Sequence, residues 1–229
     1  YNAGYSASNA NYSNFIGYQA GYSSKNSNNN NFLGYNAGLG VSATNSNFFG
    51  YFAGNLAIGA NNSNFIGYQA GYSASGASNS IFIGYQAGYQ DKVSNNLGGK
   101  SSILIGDYTS TGGWSDSIAI GKGTKNSTNN QFNIGNVLFG LNIYSGATPT
   151  SASQTNGKVG IGTNSPINTL DVIGNISASN ITASLFFGTA SLANNSLSSN
   201  TSSYTASFLI NNQQFVNQNT AIAYAVVFG

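Results

Sequence analysis

The stretch Asn14-Phe15-Ile16-Gly17-Tyr18-Gln19-Ala20-Gly21-Tyr22 returns unchanged at Asn64–Tyr72 and nearly so at Ile81–Tyr89. The glycine that closes each apolar pair sets the period: Gly17, Gly34, Gly50, Gly67 and Gly84 lie 17, 16, 17 and 17 residues apart. Self-similarity at so short a fixed period marks a stacked repeat array rather than a globule. The opening Tyr1-Asn2-Ala3-Gly4-Tyr5 matches Tyr18–Tyr22, so the numbering starts inside a repeat and an upstream part is expected.

Within one repeat, Asn14-Phe15-Ile16 and Tyr18-Gln19-Ala20 are short runs punctuated by Gly, Ser and Asn, with no helical spacing of apolar residues. This predicts two short strands per repeat. Ordering each residue costs roughly 1–2 kcal/mol of backbone entropy, whereas burying two or three large side chains returns only about 1.5–3 kcal/mol apiece. A lone repeat therefore does not fold. Stacking pairs each strand with its equivalents above and below and closes like residues into ladders.

Phe15, Phe32, Phe48, Phe65 and Phe82 occupy one ladder position, and Ile16, Leu33, Phe49, Ile66 and Ile83 the next. Neighbours in a strand point to opposite faces, so both faces of this strand are apolar in every coil. A thin solenoid has one interior, and the second face needs a partner. Copies of the same chain supply it most simply, which predicts a homo-oligomer of three chains around an axis. The alternative is a wide coil with both rows inside. Asn14, Asn31, Asn47 and Asn64 form a further row, suited to an amide ladder or to a turn with left-handed backbone. Tyr18, Tyr35, Tyr51, Tyr68 and Tyr85 form a row suited to packing or to stacking on sugars.

Composition removes several function classes. Charged residues make up 4% of the chain, six Lys and four Asp without Glu, Arg or His. So sparse a charge cannot build the basic stripe that nucleic acid requires, and there is no Arg for bidentate base readout. With no Cys and no Met there is no disulfide frame and no thiolate metal site, which fits an extracellular surface. Aromatics, at 13%, recur in register and argue against a solvating disordered tail.

The period then changes. Gly84 to Gly106 spans 22 residues, the excess lying around Gln90–Asn96; Gly106 to Gly121 spans 15 and Gly121 to Gly135 spans 14. The phrases become Ser102-Ile103-Leu104-Ile105-Gly106 and Ser117-Ile118-Ala119-Ile120-Gly121-Lys122-Gly123-Thr124. This SIAIGKGT phrase, over about Ser101–Gly135, resembles the head repeat of trimeric autotransporter adhesins. The 17-residue form is similar to repeats of phage tail fibres and bacterial surface proteins. The resemblance implies a left-handed parallel β-roll with three chains wound together; longer turns, and Phe at the position of Ala119, depart from that pattern. Eight coils from Gly17 to Gly135, at about 4.8 Å each, give a roll roughly 40 Å long.

After a Ser/Thr/Gly/Pro linker at 145–156, Gly157-Lys158-Val159-Gly160-Ile161-Gly162-Thr163-Asn164-Ser165-Pro166 and Leu170-Asp171-Val172-Ile173-Gly174 follow. This phrase resembles a connector of phage tail fibres. It lacks the Gly-Lys-Ser/Thr run of a phosphate loop. Residues 176–229 alternate weakly (Ile181, Ala183, Leu185) and carry Ala190, Leu197 and Tyr204 seven apart. They read as an extended trimeric β-rich stalk, with a three-stranded coiled coil as the other arrangement. Ala221–Phe228 is apolar but far shorter than the ~20 residues of a membrane span, so no membrane insertion is expected in this segment.

The expected organisation is therefore an all-β, left-handed parallel β-roll or β-solenoid over residues 1–144, a linker at 145–156, a connector at 157–175 and a stalk at 176–229. The 17-residue coils run to about 90, an inserted loop covers 90–100, and the shorter coils cover 101–144. No enzyme, cofactor or metal is expected. There is no His, and the spacing of Asp91, Asp107, Asp116 and Asp171 pairs none of them; Asp107 and Asp116 lack a calcium ligand run. Seven of the ten charged residues fall between Asp91 and Lys125, with Trp114, the sole tryptophan. Asp91, Lys92 and Trp114 thus mark a candidate recognition region for a host glycan or protein, the alternative being a solvated cap between two roll types. The function read here is a structural subunit of a homotrimeric extracellular fibre, phage tail fibre-like, that attaches to a host cell or surface. Its alternatives are a bacterial trimeric surface adhesin or filament and, in another class, a monomeric glycan-binding solenoid.

Overall fold

The computed structural model describes residues 1–91, 101–142 and 156–177, and the backbone of 208–210 and 213–215. Its strands are β1 (Asn14–Ile16), β2 (Asn31–Leu33), β3 (Asn47–Phe49), β4 (Asn64–Ile66), β5 (Ile81–Ile83), β6 (Ile103–Ile105), β7 (Ile118–Ile120), β8 (Phe132–Ile134), β9 (Leu138–Leu141), β10 (Lys158–Ile161), β11 (Leu170–Val172), β12 (Phe208–Ile210) and β13 (Gln213–Phe215). No helix occurs among the described residues. Residues Tyr1–Ser177 form one compact unit and Ala178–Gly229 another, in which β12 and β13 pair antiparallel. Apart from those two strands and 176–177, the expected stalk lies outside the described residues, as does most of the linker.

In the first unit, β1 to β11 make one sheet in strict sequence order. Strands β1 to β8 are parallel and in register. Consecutive parallel neighbours require a full loop of chain between them, so the array is a parallel β-solenoid. Eight strands enclose seven complete turns, one fewer than counting each strand glycine as a coil.

Each coil holds one strand of three residues, not two. Tyr18-Gln19-Ala20 is a turn, because Gln19 (φ 49°) and Gly21 (φ 66°) take left-handed backbone. The turn is nevertheless bonded coil to coil: Gly21 N donates to Ala37 O (2.9 Å) and Asn36 N to Tyr18 O (2.8 Å), and the pattern repeats along the array. Backbone satisfaction therefore does not need a second strand.

In β1 to β8 only the central residue of each strand points inward. Phe32, Phe48, Phe65 and Phe82 are fully buried and stack at 4.7–4.9 Å, with Phe15 at 5.3 Å from Phe32. The alanine row Ala20, Ala37, Ala53, Ala70 and Ala87 is buried in the same core cluster. Beyond Phe82 the same position becomes Leu104, Ala119 and Asn133, so side chains smaller than Phe fill it where the period shortens to 15 and 14 residues. That narrowing accounts for Phe at the position of Ala119. The residue after the central one faces out: Ile16 is 61% exposed and Ile66 38%, and Leu33 and Phe49 are half-buried. The wide coil with both rows inside is thereby excluded.

Two glycine rows close the coil. A Cβ on Gly34 (φ 137°) would overlap the carbonyl oxygen of Gly50, and one on Gly71 (φ 64°) would overlap the Phe65 ring. Polar rows are bonded along the axis. Asn14, Asn31, Asn47 and Asn64 form an amide ladder, each Nδ2 donating to the next Oδ1 at 2.7–2.8 Å. A second ladder, Asn29, Asn45, Asn62 and Asn79, is bonded at 3.1 Å and holds the left-handed positions, with φ of 55–57°.

The repeat stops at β8. Asn136 and Val137 turn the chain back, and β9 runs antiparallel to β8, with Phe139 opposite Asn133. The connector phrase then continues the same sheet. β10 pairs antiparallel with β9, and β11 parallel with β10. The connector is thus the last part of the solenoid's sheet, and the parallel coils end at Ile134 rather than at 144.

Candidate functional site

Because the inward position alternates with two outward ones, the sheet's outer face is legible strand by strand. In β1 to β4 that face pairs the Asn14–Asn64 amide row with the row Ile16, Leu33, Phe49 and Ile66. From β5 onward both rows are apolar: Ile81 and Ile83, Ile103 and Ile105, Ile118 and Ile120, Phe132 and Ile134. The register carries this through Leu138 and Gly140, Val159 and Ile161, and Leu170 and Val172. Phe132 lies over Gly140, where a Cβ would overlap its ring. Lys158 and Asp171 take the opposite parity, so no charged residue interrupts these outward rows.

Seven strands at about 4.8 Å, two residues wide, expose a strip on the order of 400 Å². Monomers rarely leave a contiguous apolar patch larger than a few hundred Å² uncovered. The residues singled out from sequence therefore separate into two sets. Phe15, Phe32, Phe48, Phe65 and Phe82 are the chain's own core, whereas Ile16, Leu33, Phe49, Ile66 and Ile83 lie on its outer face. The longer part of that face, Ile105 through Val172, was not singled out. Its signal is the Ile-x-Ile alternation in Ser80–Gly84, Ser102–Gly106 and Ser117–Gly121, which period two reads directly.

The charged region divides as well. Asp91 is only 5% exposed and occupies the core position filled by Val41, Ala57 and Ala74 in earlier coils. Its carboxylate accepts from Ser110 Oγ (3.1 Å) and Thr111 N (2.6 Å), tying the last 17-residue coil to the first short one. Burial pushes its pKa above the ordinary carboxylate value, and bonds from Thr111, Ser110 and Gly113 oppose that shift without cancelling it. As a surface contact Asp91 is corrected: it is a buried tie between coils. Lys92 lies outside the described residues. Trp114 is 39% exposed on the turn that Asp91 holds, with Trp114 Cδ1 and Lys125 Cε both 3.2 Å from where a Cβ on Gly112 would sit. The structure thus joins Asp91 to the Trp114 turn, burying Asp91 and leaving Trp114 accessible.

The tyrosine row is a straight ladder. Rings of Tyr18, Tyr35, Tyr51, Tyr68 and Tyr85 lie 4.9–5.1 Å apart and within 4–12° of parallel. Tyr85 meets Tyr108 edge-on at 5.2 Å, where the period changes. Each ring covers the faces of its neighbours, so sugar stacking on those faces is blocked. Among the described residues no group of three or more His, Cys, Asp or Glu could hold a metal, and no helix is long and apolar enough to cross a membrane. Compared with protein families, with curated proteins and with solved structures, the chain matches none.

Proposed function

We propose that this chain is a structural subunit of an elongated, homotrimeric extracellular fibre of the phage tail fibre type, serving attachment to a host cell or surface. A bacterial trimeric surface adhesin or filament is the alternative setting, physically alike. The observation that supports this reading is the outer face of β5–β11, apolar at every outward position that is not glycine. Covering on the order of 400 Å² per chain is worth about 10 kcal/mol at 25 cal/mol per Å². Association costs an estimated 4–15 kcal/mol, so the gain from covering the strip is of the same size as the cost. Rigid stacked coils keep that strip straight, as a shaft requires.

The test is the solution mass of the 229-residue chain by light scattering at several concentrations. Three times the single-chain 23.6 kDa is expected. A well-folded species with the mass of one chain, unchanged by concentration, refutes the trimer and returns the protein to the monomeric solenoid class.

A further inference from the structure

We infer that the tyrosine ladder Tyr18–Tyr35–Tyr51–Tyr68–Tyr85 is a binding site for an uncharged, extended 1,4-linked β-pyranose polysaccharide lying along the solenoid axis, about one sugar per rung. This deepens the attachment reading and rests on it for its purpose, though not for its chemistry.

The ladder's geometry limits what it can hold. Its rings are stacked at 4.9–5.1 Å, so they offer their edges and phenol oxygens and not their faces. Each ring is 40–43% exposed. Among the described residues no protein group is bonded to the hydroxyls of Tyr18, Tyr35, Tyr51 or Tyr68; only Tyr85 shares a hydrogen bond, with Tyr108. A phenol both donates and accepts, so Tyr18, Tyr35, Tyr51 and Tyr68 each present one donor and one acceptor at a fixed repeat, and Tyr85 keeps part of that capacity beside Tyr108.

Charge narrows the ligand further. Lys25 is the only charged side chain before Asp91, so nothing along these coils compensates a polyanion. Repeat length then decides between the neutral polymers. An extended peptide returns a side chain to the same face every two residues, about 6.7 Å; over four rungs it drifts from a 4.9–5.1 Å ladder by more than one rung. An extended 1,4-linked β-pyranose chain, a flat ribbon with equatorial linkages, advances by close to one rung per sugar and carries hydroxyls on both edges. It stays in register along the ladder. Coiled α-linked glucans do not.

The experiment is affinity electrophoresis of the full chain in gels containing glucomannan, a neutral β-1,4-linked polymer, with dextran as the α-linked control. Retardation by glucomannan alone is expected. The variant Tyr18→Phe/Tyr35→Phe/Tyr51→Phe/Tyr68→Phe keeps the ring stack and removes the phenol oxygens, and is expected to bind at least tenfold more weakly with an unchanged circular dichroism spectrum. Nitration of the wild-type protein gives a readout free of substitutions, glucomannan being expected to protect Tyr35 and Tyr51. The inference is overturned by no retardation, by equal retardation in dextran, by undiminished binding of the variant, or by unprotected tyrosines. These results leave the trimer untouched, because solution mass reports it separately. A glucomannan-binding single chain would instead retain the ladder site and overturn the fibre.

Discussion

Replacing Phe65 by alanine removes a ring with 0% exposure that stacks on Phe48 at 4.9 Å and on Phe82 at 4.7 Å and fills the space against Gly71. Loss of transfer energy together with the cavity left between two rigid coils costs about 3–5 kcal/mol. The glycine cannot move in to fill the hole, because its coil is bonded through Gly71 N to Ala87 O at 2.8 Å. Phe65→Leu costs less, about 1–2 kcal/mol, since Leu104 fills the same ladder position in the 15-residue coil. The adjacent Ile66 faces outward and is 38% exposed, so Ile66→Ala in a single chain costs about 1 kcal/mol. Urea unfolding followed by far-ultraviolet circular dichroism reads all three. With a slope of about 2–3 kcal/mol per molar, Phe65→Ala lowers the midpoint by roughly 1–2.5 M. Equal losses for Phe65→Ala and Ile66→Ala in a protein of single-chain mass would refute the inward and outward assignment from which the outer face is derived.

Gly34→Ala brings a Cβ onto the Gly50 carbonyl oxygen at φ 137°; a loss of about 2–4 kcal/mol is expected in the same assay. Gly123→Ala, with open space at φ 67°, loses only about 1–2 kcal/mol. Leu56 holds left-handed backbone (φ 57°) where the preceding coil has Gly40, and it is 41% exposed; Leu56→Gly raises the unfolding midpoint by up to about 1 kcal/mol equivalent. Asp91 binds its proton more tightly folded than unfolded, so its ionisation opposes folding. Its contribution to stability therefore grows as pH falls from neutrality through its raised pKa, and levels off below the ordinary value of 3.8. Asp91→Asn should remove that part of the pH dependence of the urea midpoint, and an unaltered profile would show that Asp91 does not titrate in this range. Ile105→Asp places a charge mid-strip on the outer face and is expected to reduce the mass in solution to one chain while the circular dichroism spectrum stays β-rich; a trimer that survives it is held elsewhere.

Whatever repeats is legible in the sequence. The period, the parallel stacking it forces, the Phe ladder and the row next to it all follow from one coil's incapacity to fold alone, and each coil states them again. The amide pairing of Asn14, Asn31, Asn47 and Asn64 was one of two readings, settled only when equivalent side chains were brought within 2.7–2.8 Å. Tyr18–Ala20 is a turn where the sequence predicts a strand, because Gln19's left-handed angle (φ 49°) is imposed by the coil it closes. Asp91 read as a surface charge because its residue type is usually exposed, whereas its register places it under Ala74. The connector's place was equally illegible, since its strand pairs with β9 across the intervening residues 142–157. The repeat and its ladders are properties of near neighbours in sequence, and so the chain alone determined them. Which way each row faces, where the roll ends and what the lone buried carboxylate touches depend on contacts between coils, and only the tertiary structure decided those.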